Sequence, residues 1–180
     1  MDRETMKSIL RQCAPTLTGV KAGSLVKFDR TVSDGAFGLF SSFGPGIGFR
    51  LLRDSESRQA LLYDRELLDR VLGCGEVRSF LVGLGYPEDF DADSALDVLA
   101  ERMSGGDVPH EIGVFLGYPL CDVIGFMDNR GRNYKCLGCW KVYGDIGTAE
   151  VMFTDIRRAR ADVLRRFDEG CFLSDISAKV

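Results

Sequence analysis

The sequence predicts an α/β or α+β fold in a single domain, with helices packed on a small mixed sheet of four to five strands. Three observations support this prediction. The chain has 180 residues, of which 45% are hydrophobic and 28% are charged, and this composition suits one well-filled core. Two apolar runs, 47–53 and 58–63, flank a polar segment and predict a β-hairpin. Apolar residues recur at helical spacing through 146–168 and predict a long C-terminal amphipathic helix.

The elements before and after the hairpin follow from periodicity and from proline. Apolar residues from Met6 to Cys13 fall at helical spacing, and Pro15 is expected to stop that helix. The run 25–28 predicts a short strand. Beyond the hairpin, apolar periodicity predicts three further helices, at 67–72, 77–84 and 96–103.

The region around the only histidine of the chain is predicted to form a βαβ-like unit. The β-branched and aromatic run 112–116 predicts a strand, 120–127 a short helix, and 139–143 a second strand. In an extended chain, His110 and Tyr118 would lie about 26 Å apart. We therefore expect these two residues to lie at opposite ends of the strand and not to share a pocket.

The tetrapeptide Leu-Gly-Tyr-Pro occurs twice, at 84–87 and 116–119. The first copy follows a helical run, so Gly85 is expected just past a helix end. The second copy follows the predicted strand, so Pro119 is expected to open a helix. The sequence therefore predicts two different junctions and no structural repeat.

Arg160 is an exception on the long C-terminal helix, because helical spacing places it on the apolar face. We expect its stem to pack while its guanidinium reaches water, and the alternative is an inward-pointing carboxylate partner. Four other arginines lie largely off this face, namely Arg157, Arg158, Arg165 and Arg166. Acidic residues are interspersed among them, so the basic face is expected to be solvated surface.

Charge and composition exclude several classes of function. The chain has 27 acidic and 23 basic residues, with a formal net charge of -4 and a pI near 5.1. A global positive field is therefore absent, and we expect neither a nucleic-acid nor a membrane partner. The beginning of the chain is charged and is not followed by an apolar stretch, so we expect no secretory signal, and no run approaches the roughly 18 apolar residues of a membrane-spanning helix. A cytoplasmic location is expected.

The spacing of Cys136 and Cys139 is typical of zinc sites, iron–sulfur sites and redox dithiols. A second cysteine pair or a histidine pair would be needed for zinc, and the sequence has neither. Cys139 also leads into a predicted strand, whereas a redox dithiol gains thiolate character at a helix N-terminus. We therefore predict no metal site, with Cys136 and Cys139 as the only metal-ligand candidates.

His110 and Cys13 are the two catalytic candidates. A histidine is suited to general acid–base chemistry because its pKa lies near neutrality. Cys13 lies at a predicted helix end, where a thiol could act as a nucleophile with His110 as its base. The alternatives are a loop histidine without chemistry and a thiol that completes the apolar face of its helix.

Several segments resemble a known family. They are "RQCAPTLTGVKAGSLVKF", "ALLYDRELLDRVL", "FLVGLGYP", "HEIGVFLGYPLCDVIGF" and "GCWKVYGD". In this order they are similar to the bacterial family called domain of unknown function 3793, over nearly the whole chain. The resemblance implies no established activity, cofactor or catalytic residue. It implies a setting near flavodoxin or iron-uptake functions, and it places Cys139 where an aromatic residue is more usual.

Three functions are consistent with the sequence, and the cofactor stays open. The first is a small-molecule or cofactor-binding domain whose pocket is lined by His110, Tyr118, Lys141 and Cys13. The second is a non-catalytic protein–protein interaction module. The link to iron or flavodoxin metabolism belongs with the first function, and the partner candidates are a small-molecule ligand and a flavodoxin-like protein. The third is a thiol-based enzyme that uses Cys13 and His110. Three more residues are binding candidates, namely Glu111, Tyr143 and Asp145.

Overall fold

The computed structural model describes residues 1–105 and 107–176, and it confirms the α/β class. The strands are β1 (Gly23–Asp29), β2 (Ile47–Arg53), β3 (Ser57–Asp64), β4 (Cys136–Leu137) and β5 (Lys141–Val142). The first helices are α1 (Arg3–Leu17), α2 (Ser33–Ser42), α3 (Arg65–Leu72), α4 (Gly75–Gly83) and α5 (Ala92–Ser104). The remaining helices are α6 (Ile112–Phe115), α7 (Leu120–Asp128), α8 (Ile146–Asp168) and α9 (Leu173–Ile176). One 3₁₀ turn, Arg30–Val32, joins β1 to α2.

The main sheet has three strands in the order β1-β3-β2. The predicted hairpin is confirmed as β2 and β3, and the predicted first strand is confirmed as β1. β4 and β5 form a separate two-stranded hairpin. All strand pairs in the described residues are antiparallel, which differs from the single mixed sheet that the sequence predicts. The reason is that the expected βαβ crossover does not form, as described below.

β3 lies at the centre of a three-layer arrangement. Leu61 and Tyr63 face the core shared with α3, α4, α5 and α6, whereas Ala60 and Leu62 face the core shared with α1, α2 and α8. Both faces of the sheet are therefore covered by helices, and this explains the continuous apolar run of β3.

The long helix α8 has the predicted bounds. Asp145 caps its start, and the carboxylate accepts a hydrogen bond of 2.7 Å from the backbone N–H of Thr148. The apolar face of α8 reaches two places. Near its end, Val163 packs in the core with α1, and near its start, Phe153 packs with Trp140 beneath the β4–β5 hairpin.

The prediction that Pro15 ends the first helix is wrong, because α1 continues to Leu17. Proline removes only one backbone hydrogen bond there, and the last turn from Cys13 to Leu17 is fully enclosed in the core. The Pro15 carbonyl then accepts hydrogen bonds of 2.8 and 3.0 Å from the backbone N–H groups of Val20 and Lys21. This turn reverses the chain and delivers Lys21 to the start of β1.

Candidate functional site

The segment predicted as the strand 112–116 is a short helix, α6, so the predicted βαβ unit is wrong. Its residues are all buried, and a short, continuous apolar run is compatible with a buried helix as well as with a buried strand. Gly113 allows α6 and α7 to pack closely, because a Cβ at this position would lie only 2.8 Å from a methyl group of Val123 on α7. The predicted second strand, 139–143, is reduced to the two residues of β5. The helix predicted at 120–127 is confirmed as α7.

The two Leu-Gly-Tyr-Pro copies form the same junction, which corrects the prediction of two different ones. Gly85 has φ +96° and Gly117 has φ +75°. In each copy the tyrosine N–H donates to a carbonyl five residues back, at 3.1 Å for Tyr86 and 2.9 Å for Tyr118. This is the Schellman cap of a helix C-terminus, and it ends both α4 and α6. The expectation that Gly85 follows a helix end is confirmed, and Pro119 opens α7 as its N-cap residue.

Two glycines bring the start of β1 against the end of α6. A Cβ at Gly23 would collide with the carbonyl oxygen of Phe115, and a Cβ at Gly117 would press on the backbone just before β1. The close approach places Lys21 over the Tyr118 ring, with Nζ 4.6 Å from the ring centroid. The pair forms a cation–π contact at the centre of the candidate site.

A buried carboxylate on α7 holds the β4–β5 hairpin in place. Asp122 is 3% exposed. Its Oδ2 accepts a hydrogen bond of 2.7 Å from the Trp140 indole N–H, and its Oδ1 accepts 2.7 Å bonds from the backbone N–H groups of Tyr143 and Gly144. Hydrogen bonds to a carboxylate offset the free-energy cost of removing it from water. Asp122 therefore determines where the hairpin and its tryptophan lie.

One cleft, which we call the aromatic cleft, lies between α6, α7 and the hairpin and has a volume of about 290 Å³. Its principal lining residues are His110, Ile112, Tyr118, Phe126, Trp140 and Lys141. The Tyr118 and Trp140 rings stack with centroids 4.6 Å apart, and His110 meets the Phe126 ring edge-on at 4.9 Å. The prediction that His110 and Tyr118 cannot share a pocket is wrong, because the helical turn of α6 shortens the distance between them.

A second cleft, which we call the basic cleft, lies between α1, β1 and α8 and has a volume of about 540 Å³. Its polar lining residues are Gln12, Lys21, Ser24, Arg157 and Arg160. The two clefts share a wall formed by Leu116, Tyr118, Gly138 and Cys139. Arg160 is exposed, as expected, and no carboxylate among the described residues pairs with it.

The cysteine candidates lie in different surroundings. Cys13 is completely buried in the core around α1, burial raises the pKa of its thiol, and it lines neither cleft. The structure therefore does not bring Cys13 to His110, and this environment is typical of an inert core thiol. Cys139 is exposed at the tip of the hairpin, whereas Cys136 is half-buried in β4. Across residues 1–105 and 107–176, no three His, Cys, Asp or Glu side chains are grouped closely enough to hold a metal ion.

Three other predicted binding residues have structural contacts outside the clefts. Glu111 is buried, and its Oε1 lies 2.7 Å from Arg102 Nε. Tyr143 donates its hydroxyl hydrogen to the Arg132 carbonyl at 2.9 Å. Asp145 caps α8, and hydrogen bonds from Thr148 hold the pKa of its carboxyl below the usual value. Neither cleft is lined by any of these three residues.

Sequence reasoning missed Lys21 and Asp122. Lys21 stands in a polar turn between α1 and β1, and nothing in the local pattern shows that it is 8% exposed. Asp122 lies in the first turn of a short helix, where an acidic residue is ordinary. Its hydrogen-bond partners are 18 to 22 residues further along the chain. The position of Arg160 on an apolar face was the one available signal for the basic cleft.

The burial of Lys21 predicts a pH-dependent stability. The pKa of Lys21 is lowered from 10.5 to about 8, mainly by burial; Cys139 opposes this change and Arg160 contributes to it. Because the folded protein binds this proton less tightly than the unfolded chain, Lys21 destabilises the fold below pH 8. Lys21→Met removes this cost but also removes the cation–π contact with Tyr118. The net effect should be a free energy of unfolding that is higher by roughly 2 kcal/mol at neutral pH.

This stabilisation should disappear as the pH rises from 8 toward 10.5. Denaturant unfolding at a series of pH values measures the difference. Lys27→Met is the control, because Lys27 is exposed on β1, and it should change stability little at any pH. A Lys21→Met protein that is less stable than the wild type throughout this range would contradict the argument.

In the described part of the chain, no helix is both long enough and apolar enough to cross a membrane.

The comparisons with known proteins identify the family of the chain. No curated protein and no solved structure is significantly similar to the chain. A family model with the description "Protein of unknown function (DUF3793)" matches residues 9–177, which is nearly the whole sequence and includes both clefts. The chain therefore belongs to the DUF3793 family of proteins of unknown function.

Proposed function

We propose that the protein binds a small organic molecule and that an aromatic group of this ligand occupies the aromatic cleft. The observation that carries the proposal is the gathering of His110, Tyr118, Trp140 and Lys141 around one cleft, although they are distant in sequence. Ligand sites are typically concave and mostly apolar, with a few polar groups that fix orientation. The aromatic cleft has this composition.

The polar groups of the cleft lie at defined positions. Lys141 donates a hydrogen bond of 2.7 Å to the Gly131 carbonyl, and its ammonium lies 5.6 Å from the Phe126 ring centroid. An ammonium has three donors, so two are left for a ligand. His110 is exposed beside the same ring and can donate or accept a hydrogen bond. Both residues can therefore orient a polar substituent of an aromatic ligand.

The single tryptophan of the chain provides the test, because Trp140 lines the aromatic cleft. Titration with phenol should change the Trp140 fluorescence with saturation. Leu137 also lines the cleft and is 61% exposed, so Leu137→Ala should weaken phenol binding with little effect on folding. The loss of apolar contact should be roughly threefold to fivefold in dissociation constant.

Val151→Ala is the matched control. Val151 is an apolar residue of α8 with 63% exposure, and it lines neither cleft. This variant should bind phenol as the wild type does. A linear fluorescence response without saturation, or equal weakening by both variants, would refute the proposal.

A further inference from the structure

The basic cleft collects positive charge in a protein that is acidic as a whole. Lys21, Arg157 and Arg160 line it, and no aspartate or glutamate does. The formal net charge of the chain is -4. A cluster of positive side chains in a protein with a negative net charge is typical of a surface that attracts an anion.

Lys21 is the least expected of these cations. It is 8% exposed, its Nζ lies over the Tyr118 ring, and no aspartate or glutamate among the described residues forms an ion pair with it. The positive charge of Arg160 also acts on Lys21, whereas Cys139 is the group that favours its charged form. A buried ammonium is costly when no opposite charge accompanies it. The pKa of Lys21 is lowered because burial disfavours the charged ammonium. A negative group in the cleft would supply the missing partner.

The arginines of α8 divide according to the face on which they lie. Those away from the basic cleft pair with acids on the same helix: Arg158 lies 3.6 Å from Asp155, and Arg165 lies 2.6 Å from Asp162. Arg157 has only the Thr154 hydroxyl as a side-chain partner among the described residues. The ion pairs and side-chain hydrogen bonds of the arginines on α8 do not include Arg160 among the described residues. Arg157 and Arg160 are three residues apart and therefore neighbours on the helix surface.

We propose that the basic cleft binds the phosphate group of a small organic ligand. Guanidinium groups match the geometry of phosphate oxygens, and a lysine ammonium adds a third positive charge. The volume of about 540 Å³ leaves room for more than the phosphate. Because Tyr118 and Cys139 line both clefts, the clefts are adjacent, and we place the rest of the ligand in the aromatic cleft. This last placement rests on the proposed function, whereas phosphate binding itself does not.

Isothermal titration calorimetry with inorganic phosphate, phenol and phenyl phosphate tests the inference. Phenyl phosphate should bind about tenfold or more tightly than phenol, inorganic phosphate should compete with it, and sodium chloride should weaken it. Lys21→Met and Arg160→Gln should each weaken phenyl phosphate binding about tenfold. Arg160→Gln should leave phenol binding unchanged, because Arg160 does not line the aromatic cleft.

Arg158→Gln is the matched control, because Arg158 lies on the same helix outside the cleft and should leave all three affinities unchanged. Thermal unfolding of each variant shows that it is folded. Equal affinity for phenol and phenyl phosphate overturns the inference and leaves the proposed function intact. Phosphate binding that requires Lys21 and Arg160, without any phenol binding, supports the inference and refutes the proposed role of the aromatic cleft. No binding of any probe refutes both.

Discussion

Replacement of Asp122 by alanine is expected to lower the free energy of unfolding by roughly 4 kcal/mol. The side chain accepts three hydrogen bonds of 2.7 Å, and its removal leaves the Trp140 indole and two backbone N–H groups without an acceptor. An unsatisfied buried donor such as the indole N–H costs about 1 to 3 kcal/mol, and the two half-buried backbone N–H groups each cost less. Denaturant unfolding followed by circular dichroism measures the loss, and the Trp140 fluorescence should change already in the folded variant.

Two further variants make this test specific. Asp122→Asn retains one oxygen for the backbone donors but places an amide N–H₂ against the indole N–H, so about half of the loss is expected, roughly 2 kcal/mol. Asp128→Ala removes an exposed carboxylate at the end of the same helix and should change stability by less than about 0.5 kcal/mol. If Asp122→Ala were as stable as Asp128→Ala, the carboxylate would not anchor the hairpin.

Gly23→Ala is expected to be the most damaging single-methyl change at the sheet, with a loss of roughly 3 kcal/mol. A Cβ at this position collides with the Phe115 carbonyl oxygen and lies 3.1 Å from a methyl group of Leu61. Backbone cannot rotate away as the end of a side chain can, so β1 and α6 must separate. The separation should also move Lys21 away from Tyr118, and ligand affinity should fall together with stability.

Gly38→Ala is the control for the added methyl group. Gly38 lies within α2, and a Cβ there meets no other atom within 4 Å. Alanine is the better helix former, so this variant should be more stable by about 0.5 to 1 kcal/mol. Thermal unfolding compares the two variants. Similar unfolding temperatures for both would show that the contact between β1 and α6 is not tight.

The sequence predicts the fold well where one strong periodicity extends over many residues. The 23 residues of α8 repeat at helical spacing, and their bounds are predicted correctly. The hairpin of β2 and β3 also has a clear polar centre between two apolar runs. By contrast, α6 has four residues, all buried, so neither its length nor its polarity separates helix from strand. The error at α6 accounts for the predicted βαβ unit and for the predicted mixed sheet.

The candidate site could be predicted only in part. His110, Tyr118 and Lys141 lie around one cleft, whereas Cys13, the fourth residue of the predicted pocket, lies in the core. The predicted distance between His110 and Tyr118 was wrong because α6 is not a strand. Lys21 is recognisable only from burial and from missing partners, which are properties of the folded chain. A flavodoxin-like partner stays a prediction.

The shortness of β4 and β5 has a consequence for access to the clefts. Each strand has two residues, and a hairpin of this size is unstable unless it is docked. Its hydrogen bonds to Asp122 and the packing of Trp140 on Phe153 provide that docking. The part of the shared wall that the hairpin supplies, Gly138 and Cys139, therefore depends on these contacts for its position. A ligand that contacts Gly138 and Cys139 is therefore expected to stabilise the docked hairpin by mass action, so that binding and hairpin stability would increase together.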